Sequence, residues 1–350
     1  VPASALLEDV FHFDAELFGM SRMEACVVDP QHRQLLVGAW EAAESSGYLN
    51  DPQDGSCTAY YCGVAMATYY HNMLADFLSV GAQNERALMI EVGTDKDYAA
   101  HRVSFHLNLT GPSVCVQTSC STALSCVALA CADLHNGSSD RALAGAASIL
   151  FPQAVGYLYH EGMPESRTGH CCTFDAEACG TMFGDATGTV MLRPSAPADA
   201  ADQSEVDTVL AYIAGYGINN DGHQKSSFNA PSVPGQKACI VRALRAAAAS
   251  PLDISFVECH GTGTVLGDPI EVAALREAFE SRGQERDVGE AWACALGALK
   301  PNFAHSNIAA GMGGVVKMLQ AMRAAELPGQ INFTKLNPHI PLASSGFTIQ

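Results

Sequence analysis

An α/β layered fold with mostly buried strands is what this chain predicts, and three observations carry it. Short β-rich runs alternate with apolar runs of helical spacing on both sides of a seam rich in Pro, Ala and Asp. Several β-rich runs are apolar at consecutive positions, the pattern of strands covered on both faces. The 350 residues are 48% hydrophobic and 16% charged, enough for one large domain or two fused halves around a sizeable core.

Each element follows from local chemistry. Asp29 as N-cap and Pro30 at the first helical position open a helix in DPQHRQLLVGAWEAAESSGY that ends near Gly47. SCTAYYCGVAM (56–66) reads as a buried strand, and a polar, helical region continues through NMLADFL (72–78). AAHRVSFHLNLTGPS (99–113) combines a short helix with a turn at Gly111-Pro112. SVCVQTS (113–119) is β-rich, STALSCVALACADLHNG is helical and closes on Gly137, and RALAGAASIL (141–150) is a short strand. A strand then ends at Arg193, residues 194–204 read as a linker, and VDTVLAYIAGYG (206–217) reads as a new strand. Beyond it come a helix over 235–249, the strand ISFVECH, a helix from Asp268, the strand WACALGAL, and the helix IAAGMGGVVKMLQAMRAA.

Bulk properties exclude several functions. The formal net charge of −18, from 37 acidic and 19 basic residues, repels phosphate backbones and anionic membranes. No apolar run reaches the length of a membrane span, and the opening VPASALLEDVFHFD lacks a basic-then-apolar signal. Thirteen cysteines, an odd number without a CxxC, point to a reducing, cytoplasmic setting rather than a disulfide framework. The cluster His170-Cys171-Cys172 with Cys179 matches no standard zinc spacing, so no metal is expected.

Chemistry-bearing residues fall at the carboxyl ends of three expected strands, where α/β folds place ligands. Cys120 lies between a β-rich run and a helix start, where unpaired N–H groups favour a thiolate. Position alone leaves it open between a nucleophile and a packed structural thiol, which is how its neighbours Cys115, Cys126 and Cys131 read. His260 ends a strand ahead of Gly261, Thr262, Gly263 and Thr264, a loop that lets backbone approach a ligand and offers two hydroxyls. It lacks the GK[ST] ending of a phosphate loop, and a lone strand-end histidine is more often structural. Lys300 ends a third strand, and His305 precedes a helix of small residues beside Asn302, Ser306 and Asn307. A capped helix entry with a surface lysine is the plain alternative there.

Taken together, GPSVCVQTSCSTAL, HGTGTVLGDPIE and KPNFAHSNIAAG resemble the three signatures of β-ketoacyl synthases, specifically the ketosynthase domains of type I modular polyketide synthases. Supporting stretches such as FDAELFGMSRMEACVVDPQHRQLLVGAWEAAE, DKDYAAHRVSFHLNLTGPS and INNDGHQKSSFNAPSVPGQ extend the resemblance along the whole chain. The resemblance implies a thiolase-like αβαβα fold of two pseudo-duplicated halves: residues 1–193 with the nucleophile, a linker at 194–204, and 205–350 with both histidines. It implies Cys120 as the acyl-accepting nucleophile, His260 and His305 as donors to the enolate of a decarboxylating malonyl-type extender, and Lys300 as a fixed charge holding them. Thr262 and Thr264 match hydroxyls that grip the phosphopantetheine arm of an acyl carrier protein. The implied partners are that carrier protein, a second copy in a homodimer and neighbouring synthase domains, with no bound cofactor, nucleic acid or membrane.

Three departures stand out. Ser119 replaces the family's usual Ala before the nucleophile, Ala304 replaces a Gly before the last histidine, and Cys172 replaces an Arg, which leaves a partner carboxylate unpaired. The family's opening GMxxRFP segment and closing GFGGTNAH loop have no counterpart here, so the chain reads as truncated at both ends. The alternatives are a non-elongating ketosynthase that only binds and passes acyl chains, or an inactive fragment that docks carrier proteins. A degradative thiolase fits less well, because thiolases use a second cysteine and lack the Lys-His loop.

Overall fold

The computed structural model describes residues 1–48, 56–74, 85–195, 209–223, 225–282, 293–343 and 345–350. The first helices are α1 (Arg22–Val27) and α2 (Pro30–Ser45). Asp29 accepts a hydrogen bond from the Gln31 N–H as N-cap of α2, as its sequence predicts. Strand β1 (Thr58–Val64) is buried along its whole length. Next come α3 (Glu85–Thr94), α4 (Ala99–His106), β2 (Ser113–Cys115), α5 (Thr122–His135), β3 (Arg141–Ser148) and β4 (Ala186–Leu192). The four strands form one sheet in the order β2-β1-β3-β4, parallel except for the antiparallel pairing of β4 to β3.

The later elements are α6 (Val233–Ala246), β5 (Phe256–Glu258), α7 (Gly267–Arg282), β6 (Cys294–Gly297), α8 (Lys300–Phe303), α9 (Ala310–Ala324) and β7 (Phe347–Ile349). Strands β5, β6 and β7 make a second, parallel sheet in that order.

The layering follows from period-2 side-chain alternation. Tyr60, Cys62 and Val64 of β1, with Leu143 and Ala147 of β3, pack against Leu35 and Leu36 of α2 and Val103 of α4. The intervening Ala59, Tyr61, Ala142, Ala144 and Ala146 pack the opposite way, on Cys126 and Ala130 of α5 and Met312 of α9. Alanines in β3 let these central helices lie close to the sheet. Lys317 of α9 reaches across to Glu258 at 2.5 Å and sits 5.5 Å from the Phe256 ring, so α9 also faces the second sheet. The outer face of that sheet is covered by Leu244 of α6 and Val272, Leu275 and Phe279 of α7. The order is therefore α2/α4, first sheet, α5/α9, second sheet, α6/α7: the αβαβα layering that the resemblance implied. Leu35 and Leu36 are fully buried, and each such side chain contributes about 1.5–3 kcal/mol relative to exposure.

The strand expected over 206–217 does not form among its described residues. Among the described residues, no backbone bond joins residues 209–217 to a neighbouring strand. The segment instead lies along α6, with the Gly217 carbonyl accepting the Cys239 thiol and the Ile218 carbonyl accepting Arg242. Its apolar alternation is real, yet Leu210 and Tyr212 are largely exposed, and a strand without a ladder partner has nowhere to place its N–H groups. The expected linker lies outside the described residues beyond Ser195, as do Trp292 and the end of the NMLADFL stretch; Tyr70–Leu74 form a π turn.

Candidate active site

Cys120 sits in a 3₁₀ turn, Ser119–Ser121, between β2 and α5. Hydroxyls lock this turn: the Thr118 N–H donates to Thr122 Oγ1 at 2.9 Å, Thr122 Oγ1 donates to the Ser119 carbonyl at 2.7 Å, and Ser121 Oγ donates to the Thr118 carbonyl at 2.8 Å. Ser119 is held at φ 56°, a left-handed conformation that costs a non-glycine residue about 1–3 kcal/mol. Such strain persists only where the surroundings over-determine it, and here it throws the next residue, Cys120, toward the cavity.

The second strand end delivers His260 two residues past β5. Its loop is fastened from behind. Glu271 of α7 accepts the His260 N–H at 2.5 Å and the Gly261 N–H at 2.9 Å. Gly261 has φ +49°, and a Cβ there meets Thr173 Cγ2 at 2.7 Å, so glycine is required by conformation and by space. Thr262 and Thr264 stand with their hydroxyls 3.2 Å apart, and Thr264 Oγ1 also accepts the Gly267 N–H.

The third group opens after β6. Lys300 is the first residue of α8 rather than the last of a strand, three residues past Gly297. It is buried, and its ammonium donates to the His260 carbonyl and lies 3.4 Å from His260 Nδ1. His305 follows Ala304, which takes φ 63° where the family has glycine. A backbone bond from His305 N–H to the Met182 carbonyl, 2.7 Å, and a stacked Phe183 ring, 5.3 Å between centroids, hold the imidazole.

These three strand ends converge. Cys120 Sγ and one ring nitrogen from each of His260 and His305 lie within 4.8 Å of one another. The two imidazoles meet edge to face at 5.2 Å, and Asn307 Oδ1 is 3.8 Å from Cys120 Sγ. All six sequence-predicted residues, Cys120, His260, His305, Lys300, Thr262 and Thr264, line one cavity of ≈ 2610 Å³.

Hydrogen bonding sets the protons. A backbone N–H can only donate, so His305 Nδ1 accepts from Asn307 N–H at 3.1 Å and its Nε2 carries the hydrogen. Lys300 imposes the same choice on His260. Both rings therefore carry an N–H free to donate to an anion. His260 is open to the cavity on one side while protein packs densely around the rest of it. That burial, and then the Lys300 charge, push its pKa down to about 3. Burial, then Lys300 and His260, take His305 to about 2. Burial likewise lowers Lys300, against the pull of Glu271 first.

Several residues of this arrangement carry no role in the sequence reading. Glu271 falls inside the quoted HGTGTVLGDPIE stretch, but its partner is the chain's own backbone, which spacing does not reveal. Asp268 is fully buried, and its carboxylate accepts the Phe174 N–H at 2.8 Å and the Gly263 N–H at 3.1 Å. Burial holds it up at about 7. Phe183 gave no signal at all. Asp175, three residues past Cys172, is well partnered: its Oδ2 accepts the Thr334 N–H, the Thr334 hydroxyl and the Lys335 N–H. The cysteines near it are separately engaged, Cys171 with the Thr262 carbonyl and Cys179 with Ser166.

Known proteins similar to this chain identify its family. The family model described as beta-ketoacyl synthase, N-terminal domain, matches residues 1–198, and the C-terminal domain model matches residues 210–334. The chain is 40% identical over 355 residues to a phenolphthiocerol/phthiocerol polyketide synthase from Mycobacterium tuberculosis. It is 37% identical over 346 residues to a mycocerosic acid synthase-like polyketide synthase of Mycolicibacterium smegmatis. These alignments take in 100% and 99% of the chain but only 23% and 15% of the relatives, so the chain spans less than a quarter of the length of either. Among solved structures, ketosynthase twelve of the bacillaene polyketide synthase from Bacillus amyloliquefaciens superposes with a TM-score of 0.88 at 33% identity, covering 100% of this chain and 59% of that one. The ketosynthase from module 1 of the same organism's bacillaene synthase gives 0.85 at 32%, covering 98% and 59%. With one model matched across the residues that carry the cysteine and the other across both histidines, the chain belongs to the β-ketoacyl synthase family.

Proposed function

We propose that the chain is the condensing unit of a polyketide synthase, joining an acyl group to a malonyl-type extender by decarboxylative Claisen condensation. The observation that carries this reading is the meeting of one thiol with two N–H-bearing imidazoles at a shared cavity. In the first half-reaction the Cys120 sulfur attacks an acyl thioester, the acyl–sulfur bond to pantetheine breaks, and the departing pantetheine sulfur takes up the proton that the Cys120 thiol gives up. Cysteine suits this step because it is the strongest side-chain nucleophile near neutral pH. In the second, the extender loses CO₂ and its bonding pair becomes an enolate whose oxygen is met by the N–H groups of His260 and His305. The enolate carbon then attacks the acyl-Cys120 carbonyl, forming the new C–C bond and releasing the Cys120 thiolate.

Lys300 acts through His260, fixing its proton on Nε2 and adding positive charge behind it. Thr262 and Thr264 offer hydroxyls to a pantetheine arm entering the cavity. Both substrates arrive on phosphopantetheine carried by acyl carrier protein, and the working setting is a cytoplasmic homodimer flanked by other synthase domains. The non-elongating reading is disfavoured by His260, which such relatives commonly lose.

Intact-protein mass after incubation with an acyl thioester tests the first step. The parent gains one acyl mass, and Cys120→Ala gains none. An unchanged gain in the variant would place the nucleophile on another thiol.

A further inference from the structure

Outside the site, two thiols face each other across the first sheet. Cys62 of β1 and Cys115 of β2 are direct partners in the parallel register, and their sulfurs are 3.9 Å apart. In-register partners point to the same face of a sheet, so the two side chains cannot be separated by a rotamer pointing through it. Neighbouring strands lie about 4.7–4.9 Å apart, inside the Cα spacing of about 4.4–6.8 Å that a disulfide spans. Closing the bond therefore asks for side-chain rotation and small strand adjustment rather than a change of fold.

The pair is chemically asymmetric. Cys115 is half-buried, at the end of its strand; its thiol donates to the Lys96 carbonyl at 2.8 Å, and its sulfur accepts the Ala100 N–H at 3.4 Å near the start of α4. The Cys62 hydrogen bond first, against burial, and then the Ala100 N–H hold the Cys115 thiol below its ordinary pKa, while Asp97 opposes them. Cys62 is fully buried and pushed well upward by burial, so it stays a thiol. One partner is thus the more ready nucleophile, and the other waits beside it with its proton. Neither has a part in the condensation described above.

We propose that Cys62 and Cys115 form a redox-active dithiol that closes to a reversible disulfide when the chain meets a peroxide. The Cys115 thiolate attacks one peroxide oxygen, giving a sulfenic acid and releasing hydroxide. Cys62 sulfur then displaces the sulfenic oxygen, its proton leaving with that oxygen as water, and the S–S bond forms. The two thiols supply the two electrons that reduce the peroxide. A dithiol returns both cysteines to thiols by exchange through a mixed disulfide.

The test is peptide mapping of the native full chain after hydrogen peroxide treatment and alkylation of the remaining thiols. The expected result is a joined peptide containing Cys62 and Cys115, lighter by two hydrogens than its reduced parts and restored by dithiothreitol. In Cys62→Ala the joined peptide is lost and Cys115 is captured by dimedone as a sulfenic acid. Absence of the joined peptide from the native chain, or Cys115 carried to sulfinic acid while Cys62 stays reduced, would overturn the proposal.

Discussion

His305 is 2% exposed, and burial first, then the charges of Lys300 and His260, take its pKa from 6.5 to about 2. Between those values the unfolded chain binds a proton at this position and the folded chain does not, so stability falls as pH drops through the interval. Asp268 works the other way: its folded value of about 7 exceeds the ordinary 3.8, so the fold gains from it as pH falls. The clean prediction is therefore a difference. His305→Gln removes the first contribution and leaves the second, so from pH about 6.5 to about 5 the variant loses less stability than the parent. Urea midpoints across that range measure it, and equal pH slopes would mean that His305 is not held neutral by the fold. The same burial explains what sequence could show here. Cys120, His260 and His305 were legible because three motifs carry them, whereas Glu271 and Phe183 act through backbone and ring contacts that only the folded chain creates.

At the scale of elements, the Cys120 turn depends on how closely β1 approaches the start of α5. Gly63 permits that approach: a Cβ there meets the Val116 carbonyl oxygen at 2.6 Å and collides with Thr122 Cγ2. Gly63→Ala is expected to destabilise the fold by about 1–3 kcal/mol, the usual cost of overpacking, and to slow acyl transfer to Cys120 because Thr122 holds the turn. Chemical denaturation and a timed mass assay check the two effects, and a variant matching the parent in both would contradict this account of the turn. Strands β1 and β3 were readable because continuous burial leaves a continuous apolar run. Residues 206–217 carry as convincing an apolar alternation, yet pairing requires a neighbour that alternation cannot supply. Strand β7 escaped for the opposite reason, since Phe347–Ile349 is too short to show a period.

The whole molecule brings one site together from both sheets. Cys120 comes from the first, His260 and Lys300 from the second, and His305 is steadied by Met182 and Phe183 ahead of β4. Asp268 ties these parts further, bonding a backbone N–H at Phe174 and another at Gly263. The layer order was inferable only through the family resemblance, because no single segment encodes which helices lie between the sheets. The proposed reaction divides labour within this assembly: the thiol accepts the acyl group, and the two imidazoles act only when enolate charge appears. The most direct measurement follows acyl-Cys120 by intact mass and β-ketoacyl product by chromatography in the same reaction, for the parent, His260→Ala and His305→Ala. Each histidine variant is expected to retain substantial acyl-Cys120 and to form product about 10²–10³-fold more slowly, the cost of one lost oxyanion donor. Product at the parent rate from either variant would contradict the account.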